Sequence, residues 1–265
     1  MIRRMRPSLP GNDMAIIIGR GHSGTRVISQ LLYNNGYATG PINPCYDLVP
    51  PEEMYCAAKL FGERVRLVGD YEWDFHAGRI APMFQRLVRM YLSCLENKGE
   101  SRYFKLPETT LCYPWIVKMF PDAKFIHWIR DPRDLGGHLT DDFPRWRMPV
   151  PNRLIQPWLD RGVEAARIRS AIGCKYLWDI VEETPRPRSF LRIRYEDFCT
   201  NQKAELQRLE EYLGRPLKPV GVHSNSVGKW KKDDNHFEFP FWSGMLERGG
   251  YLQSGTSLAP MDSAQ

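Results

Sequence analysis

The stretch AIIIGRGHSGTRVISQLL, residues 15–32, decides the fold. It begins with a short, continuous apolar run that ends at Gly19, which is typical of a buried strand. Apolar residues then recur at helical spacing, and the Asn-Asn-Gly sequence at 34–36 predicts the end of that helix. The stretch therefore predicts a strand, a glycine-rich loop and a helix in direct succession.

The glycine-rich loop has the features of an anion-binding site. Gly19, Gly21 and Gly24 allow the backbone to approach a ligand closely. Backbone N–H groups in such a turn converge on one point, and the helix N-terminus adds partial positive charge there. The loop therefore predicts a phosphate site, and the alternative is a glycine-rich turn that holds no ligand.

The loop departs from the Walker A pattern G-x-x-x-x-G-K-[ST] in an informative way. Gly19 and Gly24 have the required spacing, but Thr25 takes the place of the lysine and Arg26 follows it. We therefore expect a phosphate cradle without the magnesium and lysine arrangement of ATP hydrolysis.

The remaining elements predict the α/β class. Apolar strands are indicated at AKFIHWIRD and SFLRIRYEDF, a short extended piece at RYFKLPET, and helices between them. No hairpin signal separates these strands, so we expect a P-loop-type parallel sheet flanked by helices on both faces. We expect a flexible lead-in at 1–13, a single domain at 14–250 and an irregular tail at 251–265.

Composition and charge limit the classes of function. The 265 residues carry a formal net charge of +6, which suits an anionic ligand. There is no recognised nucleic-acid motif, so no nucleic-acid partner is expected. The six cysteines lack CxxC or zinc-site spacing, so no metal is expected. No secretory segment and no apolar run of about 20 residues is present, which predicts a cytoplasmic protein without a membrane span.

Two of the predicted strands end in residues that suit a ligand site. Ligands in α/β proteins bind beyond the carboxyl ends of the strands. Arg130, at the end of one strand, is therefore placed for a forked contact with a phosphate, and the alternative is a surface network with neighbouring aspartates. Tyr195 ends another strand, and its alternative role is packing on the sheet edge.

Four motifs in order give the chain a family resemblance. They are GRGHSGT after the first strand, WIRDPRD, RIRYEDF and SVGKWKK, and together they span residues 15–232, which is most of the chain. Together they resemble the motifs of PAPS-dependent sulfotransferases, especially the bacterial branch. His22 stands where that family usually has arginine or lysine.

The resemblance implies a donor, 3′-phosphoadenosine-5′-phosphosulfate (PAPS), with PAP as product and no metal. The 5′-phosphate would be held by backbone N–H groups and the Thr25 hydroxyl, within a loop of Arg20, Gly21, His22, Ser23, Gly24, Thr25 and Arg26. Arg130 would bind the 3′-phosphate, with His138 in place of the family's serine. Tyr195 would lie by the adenine, and the closing element would be Gly228, Lys229 and Trp230.

The implied reaction is in-line transfer of a sulfonate to a hydroxyl or amine. His22 as imidazolium would stabilise the leaving group, with Arg20 or Arg26 as alternatives. Lys105 matches a basic position that faces the sulfonate in relatives, and a surface lysine is the alternative. Asp47 is the first candidate for the general base and Glu108 the second. A turn-capping aspartate is the alternative for Asp47.

Other functions are compatible with parts of the sequence. A nucleotide kinase would use Mg-ATP, and the Thr25-Arg26 pair counts against it. A non-catalytic binder of acidic ligands suits the basic charge, and a sulfotransferase that binds PAPS without turnover suits the two unusual histidines. The acceptor is expected to be a small molecule or a glycan, in a pocket shaped by residues 40–51 and 144–158.

Overall fold

The computed structural model of the protein describes residues 14–95, 101–135, 150–232 and 237–252. Six strands occur in this part of the chain: β1 Met14–Ile18, β2 Arg66–Gly69, β3 Glu72–Asp74, β4 Arg102–Lys105, β5 Lys124–Ile129 and β6 Ser189–Arg194. Four of them form one sheet in the order β4-β1-β5-β6, and all its neighbouring pairs are parallel. The parallel sheet predicted from the sequence is therefore confirmed.

Helices fill the connections between these strands. Their bounds are α1 Thr25–Asn34, α2 Glu52–Gly62, α3 Pro82–Leu92, α4 Tyr113–Met119, α5 Gln156–Leu159, α6 Ala165–Glu182, α7 Tyr195–Thr200, α8 Gln202–Leu213 and α9 Ser243–Arg248. Short 3₁₀ helices at Pro107–Cys112 and Pro132–Leu135 follow β4 and β5 and bring residues to the carboxyl ends of the strands.

The side chains of β1 alternate between two hydrophobic layers. Ile16 and Ile18 pack with α2, α3, α4, α6 and α9, whereas Ala15 and Ile17 pack with α1, α7 and α8. Because successive strand residues point to opposite faces, a strand that is apolar throughout needs cover on both sides. Helices therefore flank both faces of the sheet, as predicted.

A two-stranded antiparallel hairpin, β2–β3, lies outside the main sheet and has no counterpart in the sequence-based prediction. Tyr71 in its turn has a positive φ of 58°. Its hydroxyl donates to the carbonyl of Leu154 at 2.8 Å and accepts from Trp158 Nε1 at 2.7 Å. Contacts between residues distant in sequence therefore hold this turn in place.

Both ends of the chain extend beyond the residues that the structure describes. The lead-in at 1–13 lies outside the described residues, and so does the tail beyond Leu252. Among the described helices, none combines the length and the hydropathy that crossing a membrane requires.

Candidate active site

The loop between β1 and α1 is packed so closely that two of its positions require glycine. Gly24 has φ 86°, and a Cβ there would lie 2.6 Å from the Tyr195 ring. A Cβ at Gly19 would lie 2.4 Å from the carbonyl oxygen of Trp128. The glycines therefore let the loop lie against β5 and the start of α7, as well as allowing its backbone conformation.

Residues from distant parts of the chain brace this loop. The Thr110 hydroxyl accepts from Gly19 N at 2.9 Å and donates to Gly19 O at 3.0 Å. Trp128 Nε1 donates to the carbonyl of Ser23 at 3.1 Å. The Ser23 hydroxyl donates within the loop, to the carbonyl of Arg20 at 2.6 Å. Ser23 is buried, so its hydroxyl shapes the loop from inside.

Arg20 lies along the wall of the site. Its Nη2 donates to the Ser170 hydroxyl on α6 at 2.7 Å. Its Nη1 is buried and has no hydrogen-bond partner within the described residues. A buried guanidinium nitrogen without a partner is costly, which makes this atom a candidate contact for an anion.

The N-terminus of α1 opens onto a cavity of about 450 Å³. Thr25, its first residue, is buried and lines the cavity, while His22 and Arg26 are exposed at its edge. The first N–H groups of a helix have no partner within the helix, and they carry partial positive charge. This end of the cavity therefore favours an anion such as a phosphate.

The same cavity contains every residue that the sequence analysis proposed for catalysis. Its lining includes His22, Asp47, Lys105 and Glu108, which come from three separate segments. Apolar and aromatic side chains complete the wall: Tyr55, Leu106, Pro107, Leu111 and Leu177. Cations, carboxylates and an apolar surface therefore meet in one space, next to the glycine-rich loop between β1 and α1.

Lys105 and Asp47 form an ion pair in this cavity. Lys105 Nζ lies 2.5 Å from Asp47 Oδ1, and it also donates to the carbonyl of Cys45 at 2.9 Å. The Lys105 side chain is 3% exposed, so its interpretation as a surface lysine is wrong. Because β4 carries it inward beside β1, its charge faces the cavity and not bulk water.

Asn43, and not Asp47, caps the turn that precedes α2. Asn43 Oδ1 accepts from the backbone N–H groups of Cys45 at 2.8 Å and Asp47 at 3.0 Å. Asn43 Nδ2 donates to Asp47 Oδ2 at 3.1 Å. The Asp47 carboxylate is thus held from both sides, by Asn43 and Lys105, and its turn-capping interpretation does not apply.

Asp47 and Glu108 act on the same buried group. Tyr91 is buried, and its hydroxyl donates to the carbonyl of Leu48 at 3.1 Å. Burial raises the pKa of Tyr91 well above its usual value, and the charges of Cys94, Asp47 and Glu108 raise it further. The two carboxylates therefore act in the same direction on the pKa of Tyr91.

Arg130 follows β5 and lies beside the loop, as predicted from the sequence. Its Nη1 reaches the carbonyl of His22 at 3.5 Å, and its Nη2 donates to the carbonyl of Ser226. The guanidinium carbon lies 4.8 Å from the centre of the Tyr195 ring. Arg130 Nε is buried without a hydrogen-bond partner among the described residues.

Tyr195 is the first residue of α7, directly after β6. Its hydroxyl donates to the carbonyl of His223 at 3.2 Å and lies 2.6 Å from the Ser226 hydroxyl. Burial raises the pKa of Tyr195 above its usual value. Tyr195 therefore connects the sheet to residues 223–226, in addition to packing on the loop.

The segment 228–230 is tied to the end of β5 through Asp134, a residue that the sequence analysis did not select. Asp134 Oδ2 accepts from Gly228 N at 2.8 Å, and Oδ1 accepts from Trp230 N at 3.1 Å. The Arg133 guanidinium stacks on the Trp230 ring at 3.9 Å. Lys229 is exposed between these two anchored residues. The repeated aspartates in RDPRD were the available signal for Asp134.

Some residues that the sequence analysis selected lie outside the described part of the chain, and one packs in an aromatic cluster. His138 and residues 144–149 lie outside the described part of the chain. Trp158, from the stretch expected to shape the acceptor pocket, packs in an aromatic cluster with Phe237, Phe239 and Phe241. Among the described residues, no group of three or more histidine, cysteine, aspartate or glutamate side chains is arranged to hold a metal ion.

A family model described as "Sulfotransferase family" matches residues 15–219 of the chain. A search of curated protein sequences finds no match.

Similar folds occur among solved structures. Sulfotransferase STF9 from Mycobacterium avium is 16% identical, with a TM-score of 0.47 over 91% of this chain and 77% of that chain. A sulfotransferase from Alicyclobacillus acidocaldarius is 17% identical, with a TM-score of 0.44 over 82% of this chain and 88% of that chain. The mouse sulfotransferase SULT7A1, complexed with PAP, is 16% identical, with a TM-score of 0.38 over 86% of this chain and 71% of that chain.

Proposed function

Because this chain belongs to the sulfotransferase family, we propose that it transfers a sulfonate from PAPS to a hydroxyl or amine acceptor. The observation that carries the proposal is the shared cavity. Its wall joins the phosphate-binding loop to Lys105 and to the two candidate bases, Asp47 and Glu108. One space thus offers an anion site, a buried cation and a proton acceptor.

The residues of the loop fit the 5′-phosphate end of such a donor. The N–H groups of residues 21–26 and the Thr25 hydroxyl would hold the phosphate, with the helix N-terminus supplying partial positive charge. Arg20 Nη1, which is buried and lacks a hydrogen-bond partner in the described part of the chain, offers a further donor. Thr25 in place of the Walker A lysine argues against the alternative of a kinase that uses Mg-ATP.

The second group of residues fits the nucleoside end of the donor. Arg130 presents a nearly buried guanidinium, 8% exposed, between the loop and residues 226–230. A guanidinium forms forked contacts with phosphate oxygens, so we assign the 3′-phosphate to Arg130 and the closing segment Gly228–Trp230. The Tyr195 ring, which packs on both Arg130 and Gly24, would border the adenine.

The reaction needs a base, a cation at the sulfonate and a stabilised leaving group. The bound donor supplies a sulfonate on a phosphate leaving group. Asp47 takes the proton from the acceptor as the acceptor oxygen or nitrogen bonds to sulfur, and the bond from sulfur to the phosphate oxygen breaks. Lys105 neutralises charge on the sulfonate, and His22 or an arginine of the loop neutralises the charge that develops on the leaving oxygen.

The acceptor would enter beside the carboxylates. Asp47 and Glu108 share the cavity with Tyr55, Leu111 and Leu177, so the acceptor meets polar groups at one end and an apolar wall along its length. This arrangement suits a small molecule with an apolar body, or the end of a glycan.

Calorimetric titration with PAP tests the proposal, with AMP and Mg-ATP as comparison ligands. We expect micromolar binding of PAP without magnesium, a clear preference for PAP over AMP, and loss of that preference in Arg130→Ala. Arg188→Ala is the matched control because Arg188 is an exposed arginine whose side chain pairs only at the surface with Asp122. Equal binding of PAP and AMP, or tighter binding of Mg-ATP, would return the loop to the kinase or non-catalytic alternatives.

A further inference from the structure

Asp134 is a fully buried carboxylate that joins three parts of the donor site. It lies in the 3₁₀ helix Pro132–Leu135 after β5, and its side chain is 0% exposed. Its two oxygens accept from the backbone N–H groups of Gly228 and Trp230 at 2.8 and 3.1 Å. Its Oδ2 also lies 3.7 Å from Arg130 Nη2.

The contacts of Asp134 explain how a segment 94 residues away takes its place. A buried carboxylate is costly unless donors surround it, and two N–H groups together with a guanidinium provide them. Gly228 has φ 69°, so the backbone turns sharply between the two N–H donors. The carboxylate therefore fixes both the place and the local turn of residues 228–230.

Arg130 is positioned by the same arrangement. Besides Asp134, its guanidinium contacts the carbonyls of His22 and Ser226 and the ring of Tyr195. A long arginine side chain has many rotamers, and fixing one of them in advance lowers the cost of binding an anion. Asp134 carries the one negative charge in this set of contacts.

We propose that Asp134 is a positioning residue for recognition of the donor's 3′-phosphate. It holds Arg130 and the N–H-rich turn at Gly228–Trp230 in the relative placement that a phosphate requires. The carboxylate itself repels a phosphate, so it acts through these groups and does not touch the ligand. The proposal rests on the proposed function, because it assigns a role within the same donor site.

Asp134→Asn tests this role while keeping the shape of the side chain. The amide retains one acceptor oxygen, but its NH₂ group faces a backbone N–H that previously met a carboxylate oxygen. We expect the affinity for PAP to fall by about tenfold or more, as one mispaired buried donor would cause, while the affinity for AMP changes by less than about twofold. Asp160→Asn, at an exposed aspartate that accepts from Gln156, is the matched control.

The ratio of the PAP affinity to the AMP affinity distinguishes a loss of positioning at the 3′-phosphate from a general loss of stability. Equal losses for PAP and AMP, or no loss for either, would overturn the proposal. A double variant with Arg130→Ala adds a second criterion, because the part of the effect that acts through Arg130 disappears once Arg130 is gone, so Asp134→Asn then lowers the PAP affinity by a smaller factor than it does in the wild type. Fully additive losses would contradict the proposed coupling.

A second variant covers the case in which Asp134→Asn does not fold. Gly228→Ala strains the turn at φ 69° while leaving the carboxylate intact, and only the Lys231 side chain approaches the added methyl group. We expect the same selective loss of PAP affinity, and unchanged PAP binding would count against the proposal. If the wild-type protein itself does not prefer PAP over AMP, the proposed function fails. That result can be told apart from a failure of the Asp134 proposal, which would show only in the Asp134→Asn and Gly228→Ala variants.

Discussion

Lys105 Nζ lies 2.5 Å from Asp47 Oδ1, across 58 positions of sequence. The pair joins the end of β4 to the turn before α2, at the wall of the cavity next to the glycine-rich loop. The cation proposed to face the sulfonate therefore directly contacts the carboxylate proposed to accept the proton. A donor sulfonate would be a second anionic partner for Lys105. Because Lys105 and Asp47 have different proposed roles, each is substituted separately.

Lys105→Met keeps an unbranched side chain in the cavity and removes its charge. We expect turnover to fall by about 100-fold or more, because a fixed cation near the developing charge is lost. Affinity for PAP should stay close to that of the wild type, since PAP has no sulfonate. Steady-state kinetics and calorimetry measure the two effects. Lys118→Met, at an exposed lysine, is the control, and an equal effect there would contradict the role of Lys105.

Asp47→Asn tests the base without changing the size of the side chain. We expect turnover to fall by about 100-fold to 10,000-fold, the range typical of a lost general base, with little change in PAP affinity. Glu108→Gln is the matched comparison because Glu108 lines the same cavity. A larger loss in Glu108→Gln than in Asp47→Asn would transfer the role of base to Glu108.

Gly24→Ala tests the close packing of the loop. Gly24 and Gly36 both have positive φ, 86° and 78°, but a Cβ at Gly24 would lie 2.6 Å from the Tyr195 ring, whereas a Cβ at Gly36 has no atom within 4 Å. Both variants carry backbone strain of about 1–3 kcal/mol. We therefore expect Gly24→Ala to lower the free energy of unfolding more than Gly36→Ala does, and to weaken PAP binding as well.

Chemical denaturation and calorimetry measure these two effects. Because the strain is shared, the difference between the two glycine variants reports the contact with Tyr195. Equal losses of stability, together with unchanged PAP affinity in Gly24→Ala, would show that the loop can move away from the ring without loss.

His127 makes the stability of the fold depend on pH. It is buried on β5, where burial holds its pKa well below the usual value and the charges of Arg192 and Arg186 lower it further. Its Nδ1 accepts from Arg192 Nε at 3.2 Å, so the neutral ring is the form that fits. Below the ordinary histidine pKa of about 6.5, the unfolded chain takes up a proton that the folded protein does not.

The contribution of His127 is therefore fully present above about pH 6.5 and is lost as the pH falls below it, by up to about 1.4 kcal/mol per pH unit. We expect His127→Gln, which keeps an acceptor for Arg192, to remove this part of the slope. Urea unfolding between pH 7 and pH 5 measures it. A variant with the same slope as the wild type would contradict the assignment.

The sequence alone predicted the parts of this protein that depend on local patterns. Apolar periodicity located the parallel strands, and glycine spacing located the glycine-rich loop between β1 and α1. The rule that ligands bind at the carboxyl ends of strands singled out Arg130 and Tyr195, and both lie beside this loop. The positions of these elements could be predicted because residues close in sequence carry the signal, and because parallel strands share one edge.

Only the tertiary structure decided which side chains support the site. Lys105 became a buried partner of Asp47, and Asp134 became the anchor of residues 228–230. The hairpin β2–β3 likewise depends on Tyr71 contacts with residues beyond position 150. Each of these contacts joins segments or atoms whose placement follows from packing of the whole chain, and no local pattern specifies such contacts.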